Sequence, residues 1–168
     1  MNARRVALLI LLSVAPVVAA KADAEAKQQA KLAKVWIDYA RWCKVQGLKQ
    51  PAEEALARAK ECDPKAKDLD RLASEVAALA GDRTDDPGLA KRREKTNRDA
   101  ARIYDQLAKL DHDPKDAARF EGYLFTALEL DPSKARIGKV AALVKKLAAN
   151  QQKAAQAGSL LTKLREAD

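Results

Sequence analysis

Apolar residues recur along most of this chain at intervals of three and four, the spacing that lines one side of an α-helix. Leu32, Trp36, Tyr39, Ala40 and Cys43 form a first such stripe. Gly47 is placed to end that helix as a left-handed cap. Pro51 suits the first turn of the next helix, with Glu53 and Glu54 beside its positive end. Ala52, Ala55, Leu56 and Ala59 give that second helix a small-residue face that permits close approach, and Asp63-Pro64 closes it because proline cannot continue the hydrogen-bond ladder.

The pattern weakens and then returns. Leu69, Leu72, Val76 and Leu79 predict a helix closed by Gly81; residues 82–88 read as a turn and Asp86-Pro87 as a restart. From Leu89 to Thr96 the positions are mostly charged, and neither Pro nor Gly separates them from Ile103, Tyr104 and Leu107. One long helix from about 88 to 110 and two short helices fit this stretch equally well. Residues 111–116 form a turn, with Asp113 as N-cap and Pro114 in the first turn of the following helix. Phe120, Tyr123, Leu124, Ala127 and Leu128 then make an apolar face ended by Asp131-Pro132. Ser133 can cap a last helix lined on one side by Ile137, Val140, Ala141, Val144, Leu147 and Ala148, with Lys134, Arg136, Lys139, Lys145 and Lys146 elsewhere. Leu160, Leu161 and Leu164 in the tail either dock on that helix or form a partner surface.

Two of these hairpins share one pattern. Trp36, Tyr39, Ala40, Cys43, Ala52, Leu56, Ala59 and Pro64 stand at the spacing of Tyr104, Leu107, Ala108, Asp111, Phe120, Leu124, Ala127 and Pro132. The offset is 68 residues, twice 34, and a 34-residue period is that of stacked helix-turn-helix units. One such hairpin cannot bury its apolar face alone, and about three stacked units make a continuous core. Ala40 and Ala108 then sit where a larger side chain would overpack the helix contact.

On these residues the chain resembles the tetratricopeptide repeat family. Segment 120–132, FEGYLFTALELDP, is similar to the second helix and exit of such a repeat, and 36–64 matches the large-and-small spacing through a whole one. The resemblance covers about 33–134, as units 33–66, a degenerate 67–100, and 101–134. It implies an all-α fold in which antiparallel hairpins stack as a short right-handed solenoid, with 135–148 as a capping helix and 149–168 as a tail. The chain departs from the family at Asp111, where an aromatic is usual, and in the missing Ala and Pro marks of the middle unit.

The N-terminus adds a location. Arg4 and Arg5 precede an apolar run of 13 residues, Val6 to Val18, followed by small residues. This is the layout of a secretory signal peptide, with cleavage expected at about 20–24 and a polar helical lead-in over 21–32. The run is shorter than the roughly 20 residues that span a bilayer, which favours cleavage over retention as an anchor. A periplasmic or secreted location follows. Removing Arg4 and Arg5 takes the formal charge from +8 to +6, so the mature chain is basic but carries all 24 carboxylates. That balance suits an acidic partner.

Chemistry is sparse. Cys43 and Cys62 fall near opposite ends of an antiparallel hairpin, beyond reach of one disulfide, so two free and largely buried thiols are expected. The single histidine, His112, lies in a turn between Asp111 and Asp113 with no nucleophile near it in sequence. No CxxC, HExxH or phosphate loop occurs, and Asp82, Asp85 and Asp86 lack the spacing of a calcium loop. No catalysis, metal or cofactor is expected. In the family the first helices line a concave groove. The resemblance therefore implies a mostly basic groove carrying Lys34, Arg41, Lys44, Arg71, Arg102, Lys109 and His112, suited to an acidic protein or peptide. Family members that clamp a C-terminal carboxylate use Asn and Lys, but here Ile37 and Arg41 stand in the corresponding part of the first helix. The expected function is an exported scaffold for protein–protein interaction. Alternatives are a periplasmic holdase chaperone and a binder of anionic polymer. Nucleic acid is disfavoured, because KRREK at 91–95 is the one strong basic cluster and contains no aromatic.

Overall fold

The computed structural model describes residues 3–81, 83, 86–110, 117–146, 148, 149 and 152, with side chains from Ala20 onward except at Ala117. Among the described residues every regular element is a helix and there is no strand. The helices are α1 (Ala3–Val45), α2 (Lys49–Cys62), α3 (Leu69–Ala77), α4 (Leu89–Leu110), α5 (Ala117–Leu130) and α6 (134–146). The chain divides into two compact units, residues 1–103 and 104–168.

In the first unit α1 packs against α2, α2 against α3, and α1 also touches α3. The core begins at Leu32, where the polar lead-in of α1 ends. Leu32, Ala33, Trp36, Ile37, Tyr39, Ala40 and Cys43 are all buried, a wider arc than the sequence stripe because it faces several neighbours at once. Ala52, Ala55, Leu56 and Ala59 supply the facing side of α2, and Leu69, Leu72 and Val76 that of α3. Thr96, Ala100 and Ala101 of α4 are buried as well, with the Thr96 hydroxyl donating back to the Arg92 carbonyl.

The α1–α2 turn shows why the chain reverses at this point. Gly47 has φ 75°, and the Leu48 N–H donates to the Cys43 carbonyl while the Gly47 N–H donates to that of Lys44. These are the two bonds of a Schellman cap, and buried Leu48 supplies its apolar contact. Because α2 begins at Lys49, Glu53 and Glu54 lie in its second turn and not beside its positive end. Asp63 leaves α2 with extended backbone, as a residue before proline does. Of the two arrangements open for 88–110, the structure has the single helix. Its start is fixed by the Asp86 carboxylate, which accepts from the Gly88 N–H at 2.7 Å.

In the second unit Leu107 and Ala108 of α4 are buried, as are Phe120, Leu124 and Ala127 of α5. Tyr123, Val140 and Leu143 pack against the cluster of Ala108, Phe120 and Leu124. Ser133 caps α6, its Oγ accepting from the Arg136 N–H at 3.4 Å. The face that α6 turns inward keeps Val140 of the predicted apolar stripe but not Ile137, Ala141 or Val144. Ile137 and Val144 are 50% and 43% exposed, whereas Arg136 is only 6% exposed. The physical reason is an ion-paired triad: Arg136 Nη1 donates to Asp105 at 2.6 Å and Nε to Asp131 at 3.0 Å. Two carboxylates on other segments draw the guanidinium in beside Val140 and Leu143.

Candidate functional site

The most organised polar feature of the first unit is a charged seam where α1 meets α3. Asp38, Arg41 and Lys44 stand one turn apart on α1. Asp68 precedes α3, and Arg71 and Glu75 follow on it. Arg41 donates to Asp38 at 3.2 Å and, through its other terminal nitrogen, to Asp68 at 3.1 Å. The second oxygen of Asp68 pairs with Arg71 at 3.2 Å. Lys44 reaches Glu75 at 2.6 Å, and Arg71 stands 3.9 Å from the same carboxylate. Three cations and three anions thus alternate across two helices with no net charge.

The electrostatics follow from exposure. The seam side chains remain 28–70% accessible, so each pair sits in high effective dielectric. Such exposed pairs contribute about 0–1 kcal/mol each. The Lys44 ammonium, by hydrogen bonding and charge, holds the Glu75 carboxyl below the usual glutamate range against an opposing desolvation effect.

The structure separates the other residues that sequence reasoning assigned to the groove. Lys34 is exposed on α1, a turn before Asp38. Arg102, also exposed, pairs with Asp99 of its own helix at 3.4 Å. Lys109 is exposed in the second unit, and His112 lies outside the described residues, as do Asp82 and Asp85. Arg41, Lys44 and Arg71 are therefore the cations brought together. Sequence reasoning missed their partners Asp38, Asp68 and Glu75. The signal was present as acid and base alternating at three- and four-residue intervals, Asp38/Arg41 and Asp68/Arg71/Glu75.

A second cluster lies between α1 and the start of α4. Tyr39 and Trp42 stack with centroids 6.3 Å apart, Arg92 lies 6.0 Å from the Trp42 ring, and Trp42 carbons come within 4 Å of where a side chain on Gly88 would begin. On α2, Arg58 covers buried Trp36 at 4.8 Å. Burial pushes the Tyr39 phenol and the Cys43 thiol up, offset in part by the Arg93 guanidinium at Tyr39 and, at Cys43, by Tyr39 ahead of Arg93. Cys62, half-buried, is pushed up to about 11 by burial and by neighbouring Glu61. Both cysteines are free thiols, and at neutral pH both stay protonated. Among the described residues no group of His, Cys, Asp or Glu is arranged to hold a metal ion. Among the same residues no helix is long and apolar enough to cross a membrane.

No protein-family profile, no curated protein and no solved structure matches this chain.

Proposed function

We propose that this protein is an exported helical-repeat scaffold that binds an acidic protein segment in the cell envelope, with no catalytic step. The observation that carries the proposal is the seam: Arg41, Lys44 and Arg71, drawn from two helices, lie on one accessible surface. Weak, solvated ion pairs leave such cations able to exchange partners for incoming carboxylates.

Burial supports the tetratricopeptide-type repeat. Ala40, Ala52, Leu56 and Ala59 of the first unit are buried, and so are Ala108, Phe120, Leu124 and Ala127, each 68 positions later. The contacts of α1 with both α2 and α3 suit stacked hairpins whose first helices share a surface, as in that family's right-handed solenoids. Export rests on the basic start, the 13-residue apolar run and the small residues after it.

Fluorescence anisotropy of labelled acidic, neutral and basic peptides tests the reading. Acidic peptides should bind, and Arg41→Glu/Lys44→Glu/Arg71→Glu should abolish that binding. Equal binding of all three peptide classes would contradict it.

One observation favours a second reading. In the second unit Phe125, Ile137 and Val144 are 63%, 50% and 43% exposed, apolar surface that a holdase chaperone would use. A holdase suppresses aggregation of unrelated unfolded clients; the scaffold does not.

A further inference from the structure

The seam contains a carboxylate held where a helix cap would ordinarily claim it. Asp68 is the residue before α3, the position from which an aspartate normally accepts hydrogen bonds from the first turn. It makes no such bond. Its backbone instead takes φ 69°, making it the one non-glycine residue at positive φ among those described. Aspartate tolerates this region better than most residues, yet the conformation is strained, and strain of this kind persists where the surroundings hold it in place. Its side chain is engaged across the seam: one carboxylate oxygen meets Arg41 at 3.1 Å and the other meets Arg71 at 3.2 Å. Two turns further on, Glu75 occupies Lys44 in the same way at 2.6 Å.

We propose that Asp68 and Glu75 act as a built-in ligand of the Arg41–Lys44–Arg71 cluster, and that an acidic segment binds by displacing them. The inference rests on the reading that the seam takes acidic partners, and it adds how that binding is restrained. In the resting protein the seam is neutral. Once Asp68 and Glu75 turn away to solvent, three cations face the incoming carboxylates with only Asp38 left among them. The restraint is modest because the pairs are exposed, and each is worth at most about a factor of five in an equilibrium. It is enough to reject short or weakly acidic segments while admitting ones that engage all three cations together.

The test is anisotropy titration of fluorescein-labelled hexaglutamate against the full chain at low and at 0.15 M salt. Asp68→Asn/Glu75→Gln should bind about 3- to 10-fold more tightly than the native chain, with a steeper loss in salt. A second variant, Asp68→Gly/Glu75→Gln, suits positive φ without strain and should show the same gain, covering the case in which asparagine perturbs the start of α3. Helical circular dichroism confirms that each variant folds. Unchanged affinity in both folded double variants, with binding still lost in Arg41→Glu/Lys44→Glu/Arg71→Glu, would overturn the displacement mechanism and leave the acidic-partner reading standing. No seam-dependent binding in any form would overturn both.

Discussion

Arg136 is the place where a single substitution should do most harm. It is 6% exposed and holds two carboxylates that are themselves largely buried, Asp105 at 16% and Asp131 at 15% side-chain accessibility. The other oxygen of Asp105 is buried without a partner among the described residues, so Arg136 alone satisfies that side chain. In Arg136→Ala both carboxylates lose this cation. Removing one member of a buried ion pair costs about 3–5 kcal/mol, and partial water access places the expected loss near the lower figure. Urea unfolding, with a slope of about 2 kcal/mol per molar, should show the transition fall by about 1.5 M, and amide exchange in α6 should accelerate. The same-sized apolar variant separates charge from packing. Arg136→Met fills the space but leaves the carboxylates uncompensated, so it should be nearly as damaging as alanine. Adding Asp105→Asn and Asp131→Asn to it should recover most of the loss. Full rescue by methionine alone, or an alanine variant within about 0.5 kcal/mol of the native chain, would refute the reasoning.

Other outcomes follow from the same geometry. Ala40→Leu and Ala108→Leu, both at fully buried sites, should each lower stability by about 1–3 kcal/mol through overpacking, and unchanged thermal midpoints would refute the shared register. At pH 8 a thiol reagent should label Cys62 slowly and Cys43 only on denaturation, since burial raises both thiols; rapid native labelling of both would contradict their placement. The folded value of Glu75 is depressed, so the stability it adds through Lys44 is fully present above the unfolded glutamate value near 4.3 and is lost as the pH falls through the folded value. Native chain and Glu75→Gln should therefore differ at neutral pH and converge in acid, and a constant difference would show that the pair contributes nothing.

The helical fold was legible because its signals are local. Gly47, Asp63-Pro64 and Asp131-Pro132 end helices where their backbone chemistry requires, and the stripe from Leu32 to Cys43 is the buried one. The inward face of α6 was legible at Val140 but not at Arg136. An arginine reads as solvent-facing until its two carboxylates arrive from Asp105 and Asp131, and only folding supplies them. The site divides along the same line. Helical spacing together with the family resemblance put Arg41, Lys44 and Arg71 on the groove side, but their neutralisation by Asp68 and Glu75 depends on how α3 lies against α1, which sequence periodicity does not encode.

The central claim is that the seam selects an acidic protein partner, and affinity capture from envelope extract tests it most directly. The full chain and its Arg41→Glu/Lys44→Glu/Arg71→Glu variant serve as paired baits. The account predicts a discrete acidic protein retained by the native chain, absent from the variant and released by free hexaglutamate. The same proteins on both baits, unmoved by hexaglutamate, would contradict it.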